Sequence, residues 1–140
     1  MNAVGIDVSK GKSTVTVMQP FGVVIAPPYE VGHSERELHD LAAYIKSLPG
    51  ETKVLMEYTG HYYEPVARYL HESGIFVSVV NAILSHDYSG NTVRKTKTDK
   101  KDSVKLANMA IDRWLDLKEY IPENEIRQTL THGAPHRRSL

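Results

Sequence analysis

The sequence contains no cysteine, and that absence removes several classes of protein from consideration. Without thiols the chain can build neither a disulfide framework nor a thiolate metal site, and it suits a reducing compartment. The N-terminus lacks a basic region followed by an apolar stretch, so we expect no signal peptide. No apolar run approaches the ~18 residues that a membrane helix needs. These absences predict a cytoplasmic protein without a membrane partner.

Net charge is also missing, because 17 Lys and Arg residues balance 17 Asp and Glu residues. Composition therefore does not predict a protein that is basic throughout and binds nucleic acid over its whole surface. The segment 94–105 nevertheless carries a charge of +4, which leaves −4 for the rest of the chain. This basic stripe consists of Arg94, Lys95, Lys97, Lys100, Lys101 and Lys105, against Asp99 and Asp102. A local concentration of this kind is either a solvated face or a binding surface.

The length of 140 residues suits one domain, and hydrophobic periodicity divides most of it into strands and helices. A capping box at Ser34 and Glu37 predicts the start of the first helix, and Pro49–Gly50 predicts its end. The predicted strands are 3–8, 13–18, 21–26, 52–57 and 75–80, and Pro27–Pro28 is expected to end the third of them. The predicted helices begin near 35, 61 and 100. The first has an apolar face that includes Leu38, Leu41 and Ile45, and the third is expected to run to about Leu117 with Leu115 on its apolar face. A polar loop is expected over 81–98.

The resulting order is βββαβαβ followed by a helix, which predicts an α/β fold. A hairpin meander followed by crossover connections gives a mixed sheet with helices packed on its faces. This is the element order of the ribonuclease H-like fold. We expect residues 1–118 to form this domain and residues 119–140 to form an irregular tail.

Four acidic residues occupy positions that suggest a metal site. Asp7 lies near the end of the first strand, Glu57 ends the fourth, and Asp99 and Asp102 stand three residues apart at a helix start. Carboxylates that converge from separate elements can hold Mg²⁺, or Mn²⁺ in its place, and two such ions can clamp a phosphodiester. Taken alone, Asp99 and Asp102 are better explained as a helix cap and its partner.

Three strings of the sequence resemble one known family. They are GIDVSK (Gly5 to Lys10), MEYTGHYY (Met56 to Tyr63) and KTKTDKKDS (Lys95 to Ser103). In this order they resemble the N-terminal domain of the DEDD transposases, insertion-sequence recombinases related to the Piv and MooV DNA invertases. That domain is similar to the Holliday-junction resolvase RuvC, and the resemblance covers roughly residues 3–118.

The resemblance implies a transposase that binds DNA and uses Mg²⁺ for phosphodiester cleavage and strand transfer. It implies that the catalytic, metal-binding tetrad is Asp7, Glu57, Asp99 and Asp102. It also implies that the basic segment lies near nucleic acid, with Arg94, Lys95, Lys97, Lys100 and Lys101 as the contacting residues. A structured guide RNA is a second candidate partner, and the full-length protein is expected to be a homo-oligomer.

The resemblance has one large departure. Family members continue into a C-terminal domain with a serine thought to act as the nucleophile, whereas this chain ends at Leu140. We therefore expect the chain to lack the part of the machinery that joins DNA ends.

Two other interpretations stay open. A sugar-kinase or actin-like ATPase also begins with a hairpin after such a strand, but its phosphate-binding turn is richer in glycine than Val8–Lys12, and 140 residues cannot supply two lobes. A non-catalytic remnant of a truncated transposase would keep the fold and the basic segment without doing chemistry. Metal-dependent strand cleavage distinguishes this remnant from an enzyme.

Overall fold

The computed structural model describes residues 1–58, 60–81 and 99–122, which form a mixed sheet with helices on both faces. The strands are β1 (Asn2–Ser9), β2 (Lys12–Gln19), β3 (Val23–Gly32), β4 (Thr52–Tyr58) and β5 (Phe76–Asn81). The helices are α1 (Glu35–Ser47), α2 (Tyr63–Glu72) and α3 (Asp99–Asp112). Over these described residues, the predicted order βββαβαβ followed by a helix is confirmed.

The five strands lie in the order β3-β2-β1-β4-β5. β2 runs antiparallel to its neighbours β1 and β3, whereas β4 runs parallel to β1 and β5 runs parallel to β4. The predicted hairpin between β1 and β2 closes at Lys10–Gly11, and Gly11 adopts a φ of 80°, which glycine reaches without a steric penalty. Because β1 and β4 are parallel neighbours, their carboxyl ends meet at one edge of the sheet.

β3 differs from its predicted extent, because it begins after Phe21 and continues through Pro27 and Pro28. β3 is an edge strand, where a residue without an N–H is tolerated on the unpaired side. The pairing with β2 also shifts register there, since Val15 pairs with Tyr29 and Val17 with Ala26. Prolines that were expected to end the strand therefore lie at an irregularity within it. Phe21 itself lies in a short 3₁₀ turn, Pro20–Gly22, and is fully exposed.

Each face of the sheet has its own apolar core. On one face, the inward side chains of β1, β2 and β4 pack against α1 and α2, with Val4, Ile6, Val15 and Met56 fully buried. On the other face, α3 packs on Ala3, Met18 and Leu55 through a second set of buried residues. That set is Leu106, Ala107, Met109, Ala110 and Trp114. The alternation of strand side chains between two covered faces explains why β1 has an unbroken run without polar side chains from Ala3 to Ile6.

α1 starts at the predicted capping box. The Glu37 amide donates to Ser34 Oγ at 3.2 Å, and the Ser34 hydroxyl donates to the Glu37 carboxylate at 2.8 Å. The carboxylate also accepts from the Gly32 amide at 3.1 Å, so it ties the end of β3 to the start of the helix. Leu38, Leu41 and Ile45 then form the buried face that their spacing predicted.

α3 ends earlier than its predicted end near Leu117. The helix stops at Asp112, and a 3₁₀ turn over Trp114–Asp116 follows. This turn keeps Trp114 buried but leaves Leu115 91% exposed, so the prediction that Leu115 continues the buried face is wrong. Farther on, the Tyr120 amide donates to the Val77 carbonyl at 2.6 Å, which attaches the start of the predicted tail to β5. Within the described part of the chain, no helix is long and apolar enough to cross a membrane.

Candidate metal centre

Two of the four predicted acids are direct neighbours in the sheet. Asp7 on β1 pairs with Glu57 on the parallel strand β4. Neighbouring residues in register project from the same face, and here that face is the one covered by α3. Asp7 is 9% exposed and Glu57 is 6% exposed, so both lie largely out of solvent.

The third acid comes from the helix that covers this face. Asp102 lies in the first turn of α3 and is 8% exposed. α3 packs against β1 and β2, and its apolar residues lie over Ala3, near the start of β1, and over Leu55. The N-terminal turn of the helix therefore lies at the opposite edge, where β1 and β4 end. Three elements that are distant in sequence therefore each deliver one carboxylate to one place.

The three carboxylates converge closely enough to share a cation. One oxygen from each of Asp7, Glu57 and Asp102 lies within 4.8 Å of the other two. An octahedral Mg²⁺ with oxygens at about 2.1 Å holds adjacent ligands about 3 Å apart and opposite ligands about 4 Å apart, so the three carboxylates lie within the reach of side-chain movement from such a site. The donors are all hard oxygens, which favour Mg²⁺, Ca²⁺ or Mn²⁺ over Zn²⁺.

The structure describes the other predicted site residues only in part. Asp99 is the first residue of α3, one helical turn before Asp102, and only its backbone is described. Lys100 and Lys101 follow it in the same turn, likewise without described side chains. Arg94, Lys95 and Lys97 lie outside the described residues.

Sequence reasoning missed the residues that hold α3 against the sheet. Gly5 lies on β1 two residues before Asp7, and a Cβ built there would come 2.2 Å from the Ser103 carbonyl oxygen and 2.5 Å from the Ala107 nitrogen. Next to it, Thr16 Oγ1 lies 2.6 Å from Ser103 Oγ, and both residues are fully buried. The available signal was the alternation Ala3, Gly5, Asp7, in which small residues lead to the acid on one face of β1.

Exposed residues follow both acid-bearing strands in the chain. Lys10 lies in the turn after β1, and His61 and Tyr62 lie between β4 and α2; all three are exposed. Because β1 and β4 are parallel neighbours, both connections leave the sheet at the edge where Asp7 and Glu57 stand.

The sequence matches a known family over almost its whole length. A family model described as a transposase, of the DEDD type represented by IS110, matches residues 4–140. The pilin gene-inverting proteins of Moraxella lacunata and Moraxella bovis are each 33% identical to this chain over 89 residues. Those residues make up 62% of this chain but 28% of each relative, so the chain corresponds to a minor part of their length.

A solved structure shares the fold at low sequence identity. RuvC of T. thermophilus, in complex with a Holliday junction substrate, superposes with a TM-score of 0.57 and 12% identity. The match covers 86% of this chain and 99% of that one. The predicted ribonuclease H-like, RuvC-like fold is therefore confirmed.

Proposed function

This chain belongs to the DEDD transposase family of the IS110 type, and we propose that its domain binds DNA and cuts phosphodiester bonds with a divalent metal during transposition. The observation that carries the proposal is the convergence of Asp7, Glu57 and Asp102 from three separate elements. A helix cap or an isolated strand-end acid needs no such convergence. Gathered carboxylates repel one another, and a cation is the partner that offsets this repulsion.

The residues present fit a hard divalent ion. Asp7, Glu57 and Asp102 would hold it, and we assign Asp99 as a fourth ligand because it stands one helical turn from Asp102. We propose Mg²⁺ as the resident ion, with Mn²⁺ as a substitute, since both accept oxygen ligands. When bound, the ion would polarise the phosphate and favour deprotonation of the attacking oxygen.

The chain's own residues would supply position and environment. The backbones of β1 and β4 fix Asp7 and Glu57 in register, so neither carboxylate depends on a loop for its place. Burial against α3 keeps bulk water from competing for the carboxylate oxygens. We propose that a scissile phosphate approaches the edge where β1 and β4 end, and that Lys10, exposed in the turn after β1, contacts a neighbouring phosphate.

We propose DNA as the substrate, contacted through the basic segment 94–101. Arg94, Lys95, Lys97, Lys100 and Lys101 precede or begin α3, so the chain connects them directly to the turn that carries Asp102. Cations at this position would hold the strand near the metal and release counterions on binding. A guide RNA and a homo-oligomer are parts of the proposal that follow from the family resemblance, and a cytoplasmic location is proposed with them.

Strand transfer is proposed for the whole protein and not for this chain alone. The chain spans 28% of the length of the gene-inverting relatives, and the nucleophilic serine that the resemblance implies belongs to a further domain. The buried Ser103 does not replace it, because its hydroxyl is hydrogen-bonded to Thr16. We expect metal binding and strand cleavage from this chain, without joined products.

Metal binding and cleavage can be tested on the purified chain with matched substitutions. Asp102→Asn and Glu57→Gln remove one charge each at the site, while Asp40→Asn and Glu72→Gln make the same chemical changes at exposed positions on α1 and α2. Calorimetric titration with Mn²⁺ should lose its signal in the first pair and keep it in the second. In the presence of Mg²⁺, a branched or nicked DNA substrate should be cleaved by the wild-type chain and by the two exposed-site variants. The Asp102→Asn and Glu57→Gln variants should not cleave it.

Two results would argue against the proposal. Equal Mn²⁺ binding by all four variants would mean that the acids do not form the metal site. Metal binding that depends on Asp102 without any cleavage of DNA would instead favour the non-catalytic remnant.

A further inference from the structure

A buried polar contact joins the middle of the sheet to α3, one residue away from Asp102. Thr16 Oγ1 and Ser103 Oγ lie 2.6 Å apart, and each residue is 0% exposed. Thr16 stands on β2 directly opposite Gly5 on β1. The two sheet residues therefore meet the same helix residue, Gly5 at its backbone and Thr16 at its hydroxyl.

The contact between Thr16 and Ser103 lies between the apolar core under α3 and the acidic site. On one side of it along the strands, α3 rests on apolar residues such as Ala3, Met18 and Leu55. On the other side, Asp7 and Thr14 form the next cross-strand pair on the same face, beside the acidic site. The two hydroxyls therefore lie where the apolar residues beneath α3 end and the acidic site begins.

An apolar pair would be the simpler way to fill this position. Valine would fill the same buried strand position without a polar group, and burying a hydroxyl is costly unless it is hydrogen-bonded. Apolar contacts are non-directional, so they set the height and rotation of α3 less strictly than a polar contact does. A hydrogen bond has a preferred length and angle, and it restrains both movements.

We propose that Thr16 is a positioning residue, whose hydrogen bond to Ser103 sets the height and rotation of the first turns of α3 and so places Asp102 against Asp7 and Glu57. Gly5 makes the arrangement possible because it lets the helix backbone approach the strand. The inference rests on the proposed metal function and deepens it. A displacement of α3 by part of an ångström would leave the fold intact but spoil the spacing of the three oxygens.

The test compares three variants of this chain. Thr16→Val keeps the shape and removes the hydroxyl, Thr16→Ser keeps the hydroxyl, and Val17→Ala removes buried apolar contact on the opposite face of the same strand. We measure Mn²⁺ affinity by calorimetry, Tm by circular dichroism, and amide hydrogen exchange of residues 103–107 without metal.

Thr16→Val should weaken Mn²⁺ binding about tenfold and speed exchange in α3 about tenfold, as expected for the loss of one buried hydrogen bond. Thr16→Ser should restore both values. Val17→Ala should lower Tm yet keep wild-type Mn²⁺ affinity, which separates positioning from general stability. In a double-mutant cycle, Thr16→Val should add little to Ser103→Ala, since both remove the same bond.

The inference would be overturned if Thr16→Val kept wild-type affinity and exchange, or if Val17→Ala weakened Mn²⁺ binding equally. Failure of the proposed function has a different signature, namely no Mn²⁺ binding by the wild-type chain. In that case the exchange rates of α3 would still decide whether Thr16 docks the helix.

Discussion

The substitution Gly5→Ala tests how tightly α3 rests on the sheet. The added methyl group would lie 2.2 Å from the Ser103 oxygen and 2.5 Å from the Ala107 nitrogen, whereas real Cβ atoms essentially never come within 3.0 Å of such atoms. Both obstacles are backbone atoms, so no side chain can rotate away. α3 would have to retreat from β1 by about 0.8 Å or more to reach that limit.

The energetic cost follows from this forced separation. Overpacking of a well-filled core costs about 1–3 kcal/mol, and occasionally more. Alanine also restricts the unfolded chain and so recovers about 0.4–1 kcal/mol. Because the clash is with backbone atoms, we expect the upper end of this range and a net loss of about 2 kcal/mol, which lowers the Tm of a domain of this size by about 5–10 °C. Because Asp102 moves with α3, Mn²⁺ binding should weaken as well.

Gly32→Ala provides the matched control. Its Cβ would come 2.3 Å from Glu37 Oε1, but this atom is the end of an exposed, flexible side chain. The carboxylate can swing aside at the loss of its exposed hydrogen bonds from the Gly32 amide and the Ser34 hydroxyl, so we expect a Tm loss of only a few degrees, at about 1 kcal/mol. Thermal unfolding and Mn²⁺ calorimetry on both variants give the comparison. If Gly5→Ala were no more harmful than Gly32→Ala, the close approach of α3 to β1 would be refuted.

Two further predictions concern residues outside the acidic site. Burial lowers the pKa of His33 from 6.5, with Glu37 opposing the shift, so the folded state binds fewer protons and stability should fall as pH drops through 6.5. His33→Gln should flatten this decline in Tm between pH 7 and 5, and an unchanged slope would contradict it. Lys53 donates to the Trp114 carbonyl at 2.8 Å and lies 4.7 Å from the centre of the Phe76 ring. Lys53→Met should lower the free energy of unfolding in urea by about 1–2 kcal/mol and shift the fluorescence emission of the single tryptophan to the red. Unchanged emission and stability would mean that Lys53 does not hold the turn after α3 in place.

The sequence predicted the elements of the fold well where local signals were strong. The capping box at Ser34 and Glu37 and the helical spacing of Leu38, Leu41 and Ile45 are local patterns, and α1 follows them. β3 was harder to predict, because tolerance of Pro27 and Pro28 depends on which strand lies at the sheet edge. The end of α3 was also missed, since Leu115 continues the apolar spacing while the chain itself leaves the helix at Asp112.

In the acidic site, too, the residues that local patterns indicate were predicted, and the contacts between distant parts of the chain were not. The position of Asp7 and Glu57 at strand ends could be read from the sequence, and parallel pairing then brings them together. Gly5, Thr16 and Ser103 could not be connected in advance, because they are separated by up to about a hundred residues and meet only when α3 packs on the sheet. The sequence therefore predicted the candidate ligands but not the contacts that hold them in place.

The metal-site proposal predicts that Mn²⁺ inverts the order of the Tm values of wild type and Asp7→Asn. Three carboxylates whose oxygens lie within 4.8 Å repel one another by on the order of 3 kcal/mol per ionised pair at an effective dielectric constant of ~20. Asp7→Asn removes one charge with little change of shape, so the metal-free variant should unfold at the same Tm as wild type or higher. With Mn²⁺ at about 100 times its Kd, wild type should gain about 2.7 kcal/mol and the variant almost nothing, so the order of the two Tm values should invert. Asp40→Asn, at an exposed site on α1, should show neither effect. If Asp7→Asn destabilised the metal-free protein as much as the metal-loaded one, Asp7 would be a structural residue held by its own hydrogen bonds, and the site would have no need of a cation.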